Sequence, residues 1–192
     1  MMLTRVLMLA ACVMAFAGAP ARAANLDDVV LLDLKDGRVT IQLRPDLAPR
    51  HVERVKKLTR EGFYNGIVFH RVIDGFMAQT GDPTGTGTGG SKYPDVPAEF
   101  STKTRFGTGT VGAARSSDPD SANSQFFITF EPQSGLDGQY TIWGQVVGGM
   151  DAVNKIKRGE PPSNPDKIIK MQIAADADQA SQDAATKALQ TR

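Results

Sequence analysis

The chain contains few of the residues on which most enzyme chemistry depends. In 192 residues it has one cysteine, Cys12, and two histidines, His51 and His70. Cleavage after Ala23 would remove Cys12, so the remaining chain could neither form a disulfide nor use a cysteine nucleophile. The two histidines do not favour a metal site, and no serine stands in the sequence context of a hydrolase nucleophile. We therefore expect neither a metal nor another cofactor.

An excess of charge of either sign is also missing. The chain has 22 basic and 21 acidic side chains and a formal net charge of +1. Arg5 and Arg22 lie in the first 23 residues, which contain no acidic residue, so the rest of the chain carries 20 basic and 21 acidic groups. Such a surface has no general attraction for nucleic acid or an anionic membrane, and neither is expected as a partner.

No apolar run is long enough to span a bilayer comfortably, but the first 23 residues have the features of a cleavable signal peptide. Arg5 gives a basic start, residues 6–17 are apolar, and Ala21-Arg22-Ala23 has the small-x-small form of a signal peptidase site. The sequence predicts cleavage after Ala23 and export, which in a bacterium means the periplasm. The alternative is a lipoprotein, because Leu9-Ala10-Ala11-Cys12 matches the pattern that precedes a lipid-modified cysteine.

Short strands separated by turns dominate the rest of the chain. Asp36-Gly37 lies between two strand-like runs and predicts a hairpin. Pro49 begins a helix that ends before Gly62, and a second, short helix fits residues 150–157. The predicted strands cover residues 29–34, 39–43, 67–73, 76–79, 110–114, 126–130, 141–147 and 169–173. This pattern favours a closed, eight-stranded antiparallel β-barrel capped by two α-helices.

The pattern also predicts the limits of the folded domain. Residues 29–173 form it, residues 24–28 are a short extension, and residues 174–192 are a polar tail that we expect to be disordered or a frayed helix. In the first helix, basic residues occupy the faces opposite Val52, Val55 and Leu58, which indicates a solvated surface, and His51 is expected to be exposed.

A glycine-rich segment, residues 85–90, satisfies the pattern G-x-G-x-x-G and runs into Ser91-Lys92. A nucleotide-binding loop of this kind must lead into a helix, and Pro94 and Pro97 prevent one nearby. The segment is better interpreted as a loop that lets its backbone approach a bound peptide.

Residues 69–82, FHRVIDGFMAQTGD, place one permanent cation, Arg71, in an otherwise apolar run. An arginine in such surroundings needs hydrogen-bond partners, and Gln79 can supply an amide oxygen. On a strand, His70 points to the face opposite Arg71, where a hydrogen-bonded structural role is expected.

Two further blocks follow this one: residues 124–128, SQFFI, and residues 136–144, LDGQYTIWG. In this order and at these separations, the three blocks resemble the cyclophilin family of peptidyl-prolyl cis–trans isomerases, over roughly residues 29–173. The resemblance implies the barrel fold and an enzyme that accelerates rotation about Xaa-Pro bonds without a covalent intermediate. It also implies proline-containing polypeptides as substrates; we expect a monomer that assists the folding of exported proteins. The alternative is a proline-peptide binding module or holdase whose turnover is incidental.

The resemblance also assigns roles to individual residues. Arg71 is the catalytic hydrogen-bond donor, held in place by Gln79. The other residues bind substrate: the proline socket is Phe76, Met77, Phe127 and Leu136, its rim is Tyr140, the groove is lined by Gly87 and Gln125, and backbone groups of Ala114 and Arg115 pair with the peptide.

Three positions depart from well-known family members. Gly135 stands where many have a tryptophan that supports cyclosporin binding, so weak or no binding of that drug is expected. Tyr140 replaces a histidine at the rim and keeps an aromatic wall. Arg115 replaces an asparagine, so its backbone role should survive while its side chain alters the preference for the residue flanking proline.

Overall fold

The computed structural model describes residues 25–191. The predicted signal peptide and the alternative lipid site at Cys12 lie outside these residues. Among the residues described, no helix combines the length and apolar character needed to cross a bilayer.

The described chain contains eight strands, three α-helices and three single 3-10 turns. The strands are β1 (Val29–Leu34), β2 (Gly37–Leu43), β3 (Arg71–Ile73), β4 (Met77–Thr80), β5 (Thr110–Ala113), β6 (Phe126–Thr129), β7 (Ile142–Gly148) and β8 (Lys170–Ile173). The helices are α1 (Pro49–Arg60), α2 (Met150–Asn154) and α3 (Gln179–Gln190), and the 3-10 turns are Leu26–Asp28, Ser134–Leu136 and Ala174–Asp176.

All eight strands belong to one antiparallel sheet with the order β3-β4-β6-β5-β7-β2-β1-β8. The prediction of a mainly β, eight-stranded antiparallel fold is confirmed. The sheet curls into a half-barrel, not the fully closed barrel that was predicted. Strands β3 and β8 stay at its edges, and isolated bridges between Val68 and Lys167 and between Val72 and Gly159 connect the two edge regions. Of the predicted strand at residues 67–73, only Arg71–Ile73 belongs to the sheet ladder, whereas Val68 makes an isolated bridge with Lys167.

The curl creates one large core and buries β1 on both faces. Val30 and Leu32 point into the main core, whereas Val29 and Leu31 pack on the other side against Ala174 and Ala185. These four of the six residues of β1 are each at most 1% exposed. A strand covered on both faces has a continuous apolar run rather than an alternating one, which accounts for the sequence of β1.

The second layer over β1 comes from the C-terminal tail, where the expectation of disorder or a frayed helix was wrong. Helix α3 begins with a cap, in which the side chain of Asp178 accepts a hydrogen bond from the Ser181 backbone N–H. Arg38 on β2 donates to the Ser181 hydroxyl at 2.7 Å, and Ala185 is completely buried. The tail is ordered because its few small apolar residues cover apolar surface on β1. The chain therefore has a third α-helix in addition to the two predicted.

Helix α1 confirms its predicted bounds but not the expected position of His51. His51 is 4% exposed, and its Nδ1 lies 2.7 Å from Oε2 of Glu99. The Glu99 carboxylate also accepts hydrogen bonds from the backbone N–H groups of Arg50 and His51, so it caps the first turn of α1. Burial lowers the pKa of His51 below its usual value, against the opposing effect of Glu99. The buried partner, 48 residues away, was not visible in the helix pattern.

Candidate active site

A solvent-open cavity of about 100 Å³ lies where β3, β4 and β6 meet the 3-10 turn Ser134–Leu136. Nine of the eleven predicted site residues line it: Arg71, Phe76, Met77, Gln79, Ala114, Arg115, Phe127, Leu136 and Tyr140. Gly87 and Gln125 line an adjoining cleft that shares Gln79, Ala114 and Arg115 with the cavity. The fold therefore brings the predicted residues to one continuous depression, although they come from segments up to about 70 positions apart.

The floor of the cavity is a small apolar cluster. Met77 and Phe127 are 1% and 5% exposed, and the Phe127 ring stacks on Phe106 at a centroid distance of 5.6 Å. Tyr140 meets Phe127 edge to face at 5.7 Å, which fixes the rim against the floor. A Cβ atom at Gly112 would lie 2.6 Å from Phe127 and 2.8 Å from Phe106. The two rings can therefore pack this way only because residue 112 is glycine.

Arg71 forms one wall, but it is not the buried cation that its sequence surroundings suggest. Its side chain is 43% exposed, and Nε donates to Oε2 of Glu160 at 2.9 Å. Residues 71 and 79 are direct partners on β3 and β4. Even so, within residues 25–191 no hydrogen bond joins their side chains, because the Gln79 amide N–H donates to Oε1 of Gln125 at 2.9 Å. The predicted role of Gln79 as the holder of Arg71 is wrong in this respect.

Gln79 instead begins a chain of hydrogen bonds that leads into the glycine-rich loop. The Gln125 amide N–H groups donate to the carbonyl oxygens of Gly87 and Gly89, both at 2.9 Å. The cavity wall at Gln79 and the loop that lines the adjoining cleft are therefore connected through Gln125.

The same loop is organised from below by Asp82, a carboxylate that is 1% exposed. It accepts hydrogen bonds from the backbone N–H groups of Thr84, Thr86, Gly87 and Gly89, at 2.6 to 3.1 Å. Burial alone would raise the pKa of Asp82, but these bonds and that from the Thr84 hydroxyl outweigh it and hold the pKa well below its usual range. Residues 85–90 thus wrap around an anion of the protein itself, which supports the sequence argument against a nucleotide-binding loop.

His70 directly precedes β3, and its ring packs below Gly87 of the glycine-rich loop. It is 6% exposed, and burial lowers its pKa. In the part of the chain that the structure describes, neither ring nitrogen has a partner in hydrogen-bonding geometry. The buried position of His70 agrees with the expected structural role, but the expected hydrogen bond is not present among the described residues.

Arg115 lines both the cavity and the adjoining cleft, beside the rim residue Tyr140. Its Nη1 donates to the Ser116 carbonyl oxygen at 2.9 Å and its Nη2 to the Gln139 carbonyl oxygen at 2.8 Å. The guanidinium carbon stands 4.4 Å from the centre of the Tyr140 ring, within the range of a cation–π contact. The side chain is thus fixed by two carbonyls and an aromatic face.

Sequence reasoning missed Glu160, the partner of Arg71, and Phe106, the ring beneath Phe127. Glu160 is 89 residues from Arg71, and paired backbone hydrogen bonds of 2.8 Å between Val72 and Gly159 bring it there. No local sequence pattern predicts a contact between residues so far apart. Among residues 25–191, no group of three or more histidine, cysteine, aspartate or glutamate side chains is placed to hold a metal ion.

Comparison with known proteins gives a consistent result at three levels. Residues 29–173 match the family model described as cyclophilin type peptidyl-prolyl cis-trans isomerase/CLD. A probable peptidyl-prolyl cis-trans isomerase of Brucella suis is 58% identical over 172 residues, covering 81% of this chain and 87% of that protein. A peptidyl-prolyl cis-trans isomerase-like 1 protein of Aspergillus fumigatus is 36% identical, covering 78% of this chain and 98% of that protein.

Solved structures agree with the sequence comparisons. A cyclophilin from Hirschia baltica superposes with a TM-score of 0.75 at 28% identity, covering 82% of this chain and 78% of that chain. A cyclophilin type isomerase of Cryptosporidium parvum, crystallised in the presence of the dipeptide Ala-Pro, gives 0.71 at 28% identity, covering 76% of this chain and 98% of that chain.

Proposed function

The chain belongs to the cyclophilin family and is a peptidyl-prolyl cis–trans isomerase, and we propose that Arg71 and the apolar cavity beside it are the site of that activity. The reaction rotates an Xaa-Pro peptide bond, whose partial double-bond character gives a barrier of about 18–20 kcal/mol. No covalent bond is made or broken, so the enzyme needs only to bind the twisted amide more tightly than either planar form.

Rotation changes the amide in a way that the cavity can recognise. When the bond twists, resonance is lost and the proline nitrogen becomes pyramidal, with a lone pair that accepts a hydrogen bond. A guanidinium can donate to that nitrogen and keeps its proton throughout the accessible pH range. Because the Nε of Arg71 is engaged by Glu160, the two Nη groups are the donors available for substrate.

The apolar cluster supplies the other half of the site. Met77 and Phe127 offer a proline ring a buried apolar surface, and Phe76 and Leu136 line the same cavity. Tyr140 closes the rim, and the backbone of Ala114 and Arg115 continues the line of β5 along which an extended peptide can pair. A socket that holds the ring, beside a donor aimed at the adjacent amide, leaves the carbonyl side of the bond free to rotate.

The observation that carries this proposal is the position of Arg71 on the wall of a cavity of about 100 Å³ with an apolar floor. A proline-peptide binding module or holdase needs the cavity but not the cation. The Cryptosporidium enzyme was crystallised with an Ala-Pro dipeptide, which is consistent with proline as the recognised residue in this family.

The test follows cis-to-trans exchange of an Xaa-Pro tetrapeptide by NMR, with residues 24–192 as the enzyme. We expect Arg71→Ala to lower kcat/KM by about a hundredfold, the loss typical for removal of one transition-state donor. Arg60→Ala is the matched control, because Arg60 is 45% exposed, pairs with carboxylates and lies outside the cavity. Equal rates for Arg71→Ala and wild type would contradict the assignment of Arg71.

We further propose that the enzyme is exported to the periplasm and assists proline-limited folding there, as a monomer and without nucleic-acid or membrane partners. The signal-peptide features of residues 1–23 support export. The mass of the exported protein, recovered from both the periplasmic extract and the detergent-extracted membranes, distinguishes the two forms of processing. Cleavage after Ala23 gives a chain that begins at Ala24, whereas a lipid-bearing chain that begins at Cys12 would contradict the soluble periplasmic location.

A further inference from the structure

The two guanidinium groups that line the cavity differ in their charge surroundings. Arg71 has a carboxylate partner, Glu160, at 2.9 Å. Arg115 has none: among residues 25–191, no carboxylate oxygen lies within 4 Å of its nitrogens, and its two hydrogen-bond acceptors are neutral backbone carbonyls. The rim of the cavity therefore presents an uncompensated positive charge at the position where a substrate chain would pass.

This charge is also held rigidly. Two carbonyl hydrogen bonds fix the guanidinium plane, and the Tyr140 ring at 4.4 Å supports one face of it. Phe100 adds a more distant aromatic contact at 5.9 Å. An arginine that is already ordered loses little side-chain entropy when it binds a ligand, which favours the use of its remaining N–H groups for recognition.

We propose that the Arg115 side chain selects substrates that carry a carboxylate within two residues of the proline. This inference rests on the proposed function of the cavity and adds a substrate class to it. A glutamate or aspartate on the bound peptide would supply the counter-charge that the protein does not, through a charge-assisted hydrogen bond to an Nη group. The acidic residue Asp95 lines the adjoining cleft but not the cavity, and within residues 25–191 it forms no ion pair with Arg115.

The experiment compares pairs of peptides that differ only in Glu or Gln. In a neutral Ala-rich pentapeptide frame with proline at its centre, Glu is placed in turn at each of the two positions before proline and the two after it, and each peptide has a Gln twin. We expect one position to give a Glu/Gln ratio of kcat/KM of about three to ten with the wild-type enzyme. The ratio should decrease toward one as salt is raised from 50 mM to 1 M, since exposed charge interactions are screened (~3 Å Debye length at 1 M).

Three variants test whether the preference for Glu depends on the Arg115 side chain. Arg115→Gln should bring the Glu/Gln ratio to about one, and Arg115→Lys, which keeps the charge, should retain a ratio above one. Arg105→Gln is the control, because Arg105 is an exposed arginine that has no carboxylate partner within the described part of the chain and does not line the cavity. It removes the same charge and should leave the ratio unchanged.

The outcomes separate this inference from the proposed function. Turnover of the Gln peptides that depends on Arg71 supports the active site whatever Arg115 does. If no position shows a Glu advantage, or if Arg115→Gln keeps the wild-type ratio, the selection by Arg115 is refuted while the isomerase site stands.

Discussion

Replacing Asp82 by asparagine tests how much of the groove depends on one buried carboxylate. In the structure, Oδ1 accepts hydrogen bonds from the N–H and hydroxyl of Thr84, and Oδ2 accepts from the N–H groups of Thr86, Gly87 and Gly89. An asparagine side chain keeps one oxygen and replaces the other with an NH₂ group, which cannot accept. At best, three backbone N–H groups keep a neutral acceptor, and that of Thr84 loses its partner.

The expected cost follows from these changes. A hydrogen bond to a charged group contributes about 1.5–3 kcal/mol and a neutral one about 0.5–1.5 kcal/mol, so three weakened bonds and one lost bond sum to several kcal/mol. Removing the desolvation penalty of a buried charge offsets part of this. We expect Asp82→Asn to lower the free energy of unfolding by about 2–4 kcal/mol.

Urea-induced unfolding measures this free energy, with the fluorescence of Trp143 as the probe. Trp143 is the only tryptophan of the chain and is 1% exposed. Asp74→Asn is the control: the Asp74 side chain is 85% exposed and makes one ion pair, so the same chemical change should cost less than about 0.5 kcal/mol. A loss for Asp82→Asn as small as that of the control would refute the reasoning.

The pH dependence of the same variant gives a second check, because hydrogen bonds hold the pKa of Asp82 well below its usual value. A carboxyl whose pKa is lower in the folded state stabilises the fold above its unfolded pKa of about 3.9 and loses that contribution as the pH falls further. The difference between wild type and Asp82→Asn should therefore be constant from pH 7 to about 5 and decrease below about pH 4. A difference that grows on acidification would contradict the sign.

Three other changes have defined outcomes. Glu160→Gln removes the carboxylate that orients the Arg71 guanidinium, and because the pair is exposed we expect kcat/KM for a neutral Xaa-Pro peptide to fall only about two- to fivefold. Ala185→Asp places an unpaired charge in the buried contact beneath α3, so it should lower the free energy of unfolding by about 3 kcal/mol or more. Ala184→Asp is the control, because residue 184 is exposed and the substitution should hardly change that free energy. Gly135→Trp should raise the affinity for cyclosporin above the weak binding expected of the wild type, because a side chain there meets no atom within 4 Å.

For each of these three predictions, one result would contradict the reasoning. Wild-type turnover by Glu160→Gln would mean that Arg71 is oriented without its ion pair. Equal urea midpoints for the Ala184 and Ala185 variants would mean that α3 does not pack on the sheet in solution. Tight competition by cyclosporin with the unmodified protein would overturn the interpretation of Gly135.

The residues of the cavity floor could be predicted because their signals are local. Met77 and Phe127 lie in β4 and β6, which their apolar residues and flanking turns predict, and Phe76 directly precedes β4. A strand fixes which side its residues face, so placing β4 and β6 also places the Met77 and Phe127 side chains. Phe106 was not predicted as part of the cavity floor, because it lies in an irregular loop with no periodic sequence pattern.

The polar contacts could not be predicted in the same way. Gln79 was expected to hold Arg71 because the two are close in sequence, and they do face each other across β3 and β4. The orientation of the Gln79 amide, however, depends on the competing acceptor at Gln125. The partner of Arg71, Glu160, lies 89 residues further along the chain.

The sequence by itself determined the antiparallel strands, the extent of α1, the family and the apolar residues of the cavity, since each rests on residues a few positions apart or on spacing along the chain. Only the tertiary structure decided that His51 is buried against Glu99, that the polar tail forms α3, and that Arg115 stands without a counter-charge among the described residues. Pairing of charges and burial of small apolar residues depend on which surfaces meet after folding, and distant parts of the chain supply those surfaces.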